Sequence, residues 1–210
     1  QLANYLDGVA RGLDGNRDAA LGELDQLRKH VEHMKAIIAD QQGYAKSCAV
    51  EEHVPLVEVV GDACSLMKLS FERHGIALTT TLSPAAEAVA VDRHRVLQIL
   101  VNLLSNARDA LDEAPENERR IALSAEVSGE DLRIGVRDSG TGFAPAVGAR
   151  LFTHGFTTKA SGHGFGLHNC ALAAEDMGGK LTAASEGKGR GATFTLQLPA
   201  SQTHEAAAAA

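Results

Sequence analysis

The chain has 210 residues and a formal net charge of −7, which fits one domain with an appendage or two small domains. Nucleic acid is excluded as the main partner, because binding its phosphates requires a basic face. No apolar run reaches the roughly 18–20 residues that span a bilayer, so we expect a cytoplasmic chain whose only possible membrane anchor lies upstream of Gln1. Three scattered cysteines lack metal-ligand spacing; we interpret them as reduced thiols, with a redox-sensing thiol as the alternative.

Residues 1–50 are predicted to form a helical dimerisation segment. Within 17–47, apolar residues from Leu24 to Ile38 recur at spacings of three and four, which is a heptad seam. A shorter helix is predicted before it, over 1–13. A seam of this kind cannot bury itself, so we expect a helical hairpin, a homodimer, or both. The alanine run near the end of the chain favours a disordered tail over 201–210.

Residues 51–200 are predicted to form a domain of the α+β class. The pattern predicts helices over 55–71, 92–111 and 167–177, and strands over 76–82, 121–127, 132–137, 180–185 and 192–198. Residues 138–166 are rich in Gly, Thr, Ser and His and are predicted as loops. This order indicates a two-layer α/β sandwich, with helices on one face of a mixed, largely antiparallel sheet.

The predicted helix over 92–111 carries a polar stripe. Asn102, Asn106 and Asp109 are four and three residues apart and share one face. Buried amides without partners are costly, so the stripe must face water or a ligand. An amide oxygen is a suitable ligand for Mg²⁺, which often bridges phosphates. A solvated helix face is the alternative interpretation.

A second motif, Asp138-Ser-Gly140-Thr-Gly142, directly follows an apolar strand. A carboxylate at a strand end can accept a hydrogen bond from an exocyclic amine, such as N6 of adenine. The two glycines would let the backbone come close to a flat base. A tight turn without a ligand is the alternative.

Two further glycine motifs follow. Gly162, Gly164 and Gly166 directly precede a predicted helix, whose free N–H groups could hold phosphate oxygens. No strand precedes this run and no βαβ unit surrounds it, so a Rossmann site is rejected. The last motif, Gly-Arg-Gly-Ala-Thr, ends at Thr193 as it enters the final strand. It could be an ordinary hairpin turn, although Thr193 could also bond the base.

In this order, the four motifs resemble the N, G1, G2 and G3 boxes of the superfamily of gyrases, chaperones, histidine kinases and mismatch-repair ATPases. The run 151–159 resembles the F box that histidine kinases place between G1 and G2, and the resemblance covers 55–199. It implies the ATP-binding catalytic domain of a bacterial sensor histidine kinase, with ATP and Mg²⁺ as cofactors. Transfer of the γ-phosphoryl group to a histidine, and then to a response-regulator receiver domain, is what this resemblance implies.

The resemblance also implies roles for residues at matching positions. Asn106 would ligate Mg²⁺, Asp138 would bind adenine, and Lys159 is a candidate contact for the γ-phosphate. Gyrase-like relatives carry a general-base Glu where this chain has Asn102, which favours phosphoryl transfer over hydrolysis. The remaining expected nucleotide contacts, within or beside a lid over about 144–165, are Asp109, Gly140, Gly142, Phe156, Thr158, Gly162, His163, Gly164, Phe165, Gly166, Leu167 and Thr193.

The phosphoacceptor histidine has no clear candidate. In the family the acceptor is followed by Asp or Glu, but His30 is followed by Val31 and His33 by Met34. We interpret both histidines as exposed helix residues and expect the acceptor upstream of Gln1.

Three histidines in and beside the expected lid are interpreted as lid-surface or phosphate-proximal groups and not as zinc ligands: His154, His163 and His168. Two other functions share this fold, a nucleotide-sensing module without transfer and a serine/threonine kinase of the anti-sigma type. The long heptad helix favours the histidine kinase.

Overall fold

A computed structural model describes residues 53–159 and 164–200. The predicted heptad segment, the expected tail over 201–210, and both Gly162 and His163 lie outside the described residues. Within the described part, no helix is both long enough and apolar enough to cross a bilayer.

The described strands form two sheets. The strands are β1 (His53–Pro55), β2 (Ala77–Leu82), β3 (Ala90–Asp92), β4 (Arg120–Ser128), β5 (Asp131–Asp138), β6 (Lys180–Ala184) and β7 (Ala192–Pro199). The main sheet has the order β2-β4-β5-β7-β6. Only the β2–β4 pair is parallel in that sheet, and β4–β5, β5–β7 and β6–β7 are antiparallel. The short strands β1 and β3 form a separate antiparallel pair.

Three long helices accompany the main sheet. The helices are α1 (Leu56–Arg73), α2 (Pro84–Glu87), α3 (Arg93–Ala110), α4 (Pro145–Gly148) and α5 (Gly166–Asp176), with a 3₁₀ turn at Glu116–Glu118. Buried residues of α1, α3 and α5 share one hydrophobic core with buried residues of the strands. The fold prediction is confirmed: this is an α+β two-layer sandwich with a mixed, largely antiparallel sheet.

Strand β5 shows which face of the sheet the described helices cover. Leu132, Ile134, Val136 and Asp138 are buried, while Arg133 and Arg137 between them are exposed. Successive side chains of a strand point to opposite faces, so the buried set faces the helices and the arginines face away from them. The same alternation in β7 buries every second residue.

The long predicted elements match the structure to within about two residues, whereas four short ones were missed. The missed elements are β1, β3, α2 and α4, of three or four residues each. Elements this short are too brief to show a hydrophobic period. The sequence does carry a local signal for α2, because Ser83 caps the start of this helix and Pro84 is its first residue.

Candidate functional site

The polar stripe of α3 is half-buried and forms a connected set. Asn106 Nδ2 donates to Asn102 Oδ1 at 2.9 Å. Because the amide nitrogen of Asn106 is bonded to Asn102, the amide oxygen Oδ1 is the atom of Asn106 that can face a cation. The opposite face of the helix, including Ile99, Leu100 and Leu103, is fully buried, so core packing orients the stripe.

Lys159 reaches this stripe from the loop that follows α4. Its Nζ donates to Asn106 Oδ1 at 2.9 Å and to Asp109 Oδ2 at 2.6 Å. Asp109 also forms an ion pair with Arg108 at 2.6 Å. Burial raises the pKa of Asp109, but the bonds and charges of Lys159 and Arg108 outweigh it and hold that pKa below its usual value. The carboxylate is therefore ionised and has a cation on each side.

Asp138 lies at the end of β5 and is only 3% exposed. Its Oδ1 accepts hydrogen bonds from the main-chain N–H of Gly140 at 2.8 Å and of Ala192 at 3.3 Å. Burial raises the pKa of Asp138 above its usual value, although both N–H groups act in the opposite direction. A carboxylate held in this way, away from bulk water, is suited to accept a bond from an amine of a flat ligand.

The glycines after Asp138 are required by close packing. A Cβ atom on Gly140 would clash with the carbonyl oxygen of Ala110, the last residue of α3. Gly142 has a φ of +56°, and a Cβ there would clash with the carbonyl oxygen of Gly187. The segment is thus fitted between the end of α3 and the β6–β7 turn, which brings Asp138 to the same end of α3 as the polar stripe.

The glycine-rich stretch leads into α5 beside the stripe. Gly164 has a φ of +71°, and a Cβ on Gly166 would lie 2.6 Å from Asn102 Nδ2. The N-terminus of α5 therefore touches the stripe of α3, with Leu167 packed against the core. Free N–H groups at a helix N-terminus attract anions.

The other loop residues have different surroundings. Phe156 lies under the guanidinium of Arg150, at 4.5 Å from ring centroid to Cζ, and Thr158 is exposed next to Lys159.

Phe165 packs against the ring of His154 at 4.8 Å between centroids. His154 also meets His168 edge-on at 5.1 Å. These two histidines therefore serve in packing between the loop and the start of α5.

The strand register corrects the expectation for Thr193. Asp138 pairs with Ala192, whereas Thr193 pairs with Arg137. Directly paired residues share a face, so the Thr193 side chain lies on the opposite face from the Asp138 carboxylate. Ala192 is the residue that contacts Asp138, through its N–H, and it was absent from the predicted site.

Comparison with known proteins identifies the family. The family model described as histidine kinase-, DNA gyrase B- and HSP90-like ATPase matches residues 91–202. The chain belongs to this family. The matched range contains the polar stripe, Asp138, Lys159 and the start of α5, and this histidine-kinase-type ATPase domain binds ATP.

Sensor proteins are among its relatives. FixL of Bradyrhizobium diazoefficiens is 31% identical over 95% of this chain and 40% of FixL. TdiS of Thauera aromatica is 29% identical over 93% of this chain and 36% of TdiS, and ZraS of Escherichia coli is 30% identical over 95% and 43%. The chain thus spans about two fifths of the length of these relatives.

Solved structures show the same architecture. The nucleotide-free catalytic domain of the histidine kinase ThkA has a TM-score of 0.63 and 27% identity, over 72% of this chain and 96% of that one. Full-length ShkA in complex with AMPPNP has a TM-score of 0.66 and 26% identity, over 82% and 37%. ThkA has also been solved with the response regulator protein TrrA, where the 24% identity and TM-score of 0.64, over 81% and 48%, show the fold alone.

Proposed function

We propose that the chain is the catalytic region of a two-component sensor histidine kinase, which transfers the γ-phosphoryl group of ATP to a histidine for relay to a response regulator. The observation that carries this proposal is the position of Asn102 and its hydrogen bond to Asn106. Asn102 occupies the position where hydrolysing relatives carry a general base, and its oxygen is committed to Asn106. An amide has no useful basicity, so water activation has no agent there.

The relatives support the same reading. TdiS, FixL and ZraS are sensor proteins, and they match 93–95% of this chain. These matches extend well into residues 1–50, where the heptad seam lies. We therefore propose a homodimer through that segment and a receiver domain as the phosphoryl acceptor after the histidine.

The site residues take complementary parts in this proposal. Asp138 accepts a hydrogen bond from the adenine amine, Lys159 contacts the γ-phosphate, and the start of α5 faces the phosphates. Asn106 Oδ1 fits a Mg²⁺ ligand, because it is a hard oxygen donor that already accepts a hydrogen bond from an ammonium. Bound Mg²⁺ would neutralise phosphate charge at this point. Asn102 holds the amide of Asn106 so that its oxygen faces that region.

The proposal is tested with γ-labelled ATP, Mg²⁺ and an added acceptor, the dimerisation domain of a sensor kinase such as ZraS. We expect acid-labile, base-stable label on the added domain, which is the behaviour of phosphohistidine. Since neither His30 nor His33 is followed by the Asp or Glu that orients the acceptor imidazole in the family, we expect no self-labelling. Acid-stable label would instead indicate a serine/threonine kinase, and ATP binding without transfer to any acceptor would indicate a sensing module.

A further inference from the structure

Asp109 is fixed from one side by a well-anchored arginine. Arg108 donates to Asp109 Oδ1 through both Nε, at 2.9 Å, and Nη2, at 2.6 Å. The same guanidinium donates to Ser105 Oγ at 3.3 Å and, across to α1, to Ser70 Oγ at 3.2 Å. Four bonds to two helices hold the arginine in place, so the carboxylate has one orientation, with Oδ2 turned away from Arg108.

That second oxygen receives Lys159. The ammonium donates to Asp109 Oδ2 at 2.6 Å and to Asn106 Oδ1 at 2.9 Å. Lys159 is 53 residues from Asn106 along the chain and comes from an exposed loop, so it needs a fixed partner to stay beside α3. The short bond to an ionised carboxylate supplies that partner.

The two bonds of Lys159 have different fates when nucleotide binds. Asn106 Oδ1 is the oxygen proposed to ligate a metal ion, and two cations close to one oxygen repel each other. Lys159 must therefore leave Asn106 before that oxygen can ligate a metal. Nothing requires it to leave Asp109, whose Oδ2 lies beside the same region.

We propose that Asp109 is a positioning residue for Lys159: it holds the ammonium over the metal-ligand oxygen of Asn106 before nucleotide binds, and retains it beside the phosphates afterwards. This inference rests on the proposed function, because it uses the parts assigned there to Asn106 and Lys159. Arg108 orients Asp109 for this task. A lysine held in advance loses less rotational freedom when it meets a phosphate.

The test is nucleotide binding measured by calorimetry, with no phosphoryl transfer involved. Asp109→Asn and Lys159→Met are each expected to weaken AMPPNP binding about tenfold, the effect of losing one charge-assisted hydrogen bond. The double variant should lose no more than either single variant, because both remove the same contact. ADP lacks the γ-phosphate, so its affinity at saturating Mg²⁺ should stay within about twofold in all three variants.

A second measurement isolates the competition at Asn106. The Mg²⁺ concentration that gives half-maximal enhancement of ADP binding should fall severalfold in Lys159→Met, because no ammonium then occupies Oδ1. Lys159→Arg should retain most of the AMPPNP affinity, since it keeps a cation that can reach Asp109.

A matched control is available in a separate ion pair, which joins α1 to α3. Arg93 contacts Asp62 at 2.7 Å, and the two side chains are 37% and 41% exposed. Asp62→Asn therefore removes one carboxylate of a partly exposed ion pair and should leave AMPPNP binding unchanged. The proposal is overturned if Asp109→Asn behaves like Asp62→Asn, or if the losses in the double variant multiply. Failure of the proposed function is seen separately, as intact nucleotide binding without transfer to an added acceptor.

Discussion

The substitution Asp138→Asn tests the adenine site with little change of shape. Both main-chain N–H groups that contact Asp138 donate to Oδ1, at 2.8 and 3.3 Å. The amide oxygen of Asn can accept the same two bonds, so the loop after β5 keeps its support. The amide nitrogen then replaces Oδ2, and a nitrogen donor cannot accept a hydrogen bond from an adenine amine.

The expected loss follows from the burial of this carboxylate. A hydrogen bond to a charged group contributes about 1.5–3 kcal/mol, and each 1.4 kcal/mol is a factor of about ten in Kd. The Kd for ADP should therefore rise roughly 10- to 150-fold, measured by calorimetry at neutral pH with saturating Mg²⁺. An increase of less than about threefold would refute Asp138 as the adenine ligand.

The pKa of Asp138 also predicts how the same variant changes the thermal stability of the domain. Burial raises the pKa of Asp138 above the ordinary value of 3.8, so the folded state binds this proton more tightly than the unfolded chain. The protonated carboxyl therefore contributes stability to the folded domain at low pH. That contribution is lost as the pH rises from about 3.8 through the pKa of Asp138 in the folded state. At pH 7 the Asn variant should unfold at the same or a higher temperature, with an advantage that shrinks as pH falls. A clearly lower Tm at pH 7 would contradict this sign.

Three further outcomes are expected. Asn106→Ala should abolish the Mg²⁺ dependence of ATP binding while adenosine binding persists, and an unchanged Mg²⁺ dependence by calorimetry would exclude Asn106 as the ligand. Gly140→Ala should lower the free energy of unfolding by about 1–3 kcal/mol, because its Cβ would clash with the end of α3. Gly61→Ala, whose Cβ would meet nothing within 4 Å, should raise that free energy by up to about 1 kcal/mol. Thermal unfolding of the two variants compares these effects. If residues 1–47 form the expected dimer, light scattering at tens of micromolar protein should give the mass of a dimer. The mass of a monomer would count against the heptad interpretation.

The long elements were predictable because they have strong periods. In α3 the buried positions recur at helical spacing from Val96 to Ala107, and Asp92 caps its start by accepting from Arg95 N at 2.9 Å. Alternation in β5 likewise defined a strand with one buried face. The arrangement of the candidate site was predictable in outline for the same reason, since its motifs lie on or next to these elements.

The sequence carries a signal for the face of β7 on which Thr193 lies. Ala192, Phe194 and Leu196 alternate with Thr193 and Thr195, which places the threonines on the polar face of β7. The Gly-Arg-Gly-Ala-Thr motif alone does not indicate which face of the strand each residue occupies.

The Lys159–Asp109 contact gave no comparable signal. The two residues are 50 positions apart, and no helix or strand spacing links them. Their meeting depends on the path of the loop after α4 and on the orientation that Arg108 gives to the carboxylate. Contacts of this kind follow from the tertiary arrangement and not from a local pattern.

The two faces of β5 also bear on where the domain can change length during evolution. At one end, Asp138 faces the helices and its neighbour Arg137 faces away. One residue inserted just before Asp138 would turn its carboxylate to the wrong face, and one residue deleted there would do the same. At the other end, a two-residue turn joins Ser128 to Asp131, with Gly129 at a φ of +65° and open space around it. Insertions between lineages, and engineered fusions, should therefore be found at this turn and be absent from the strand end that carries Asp138.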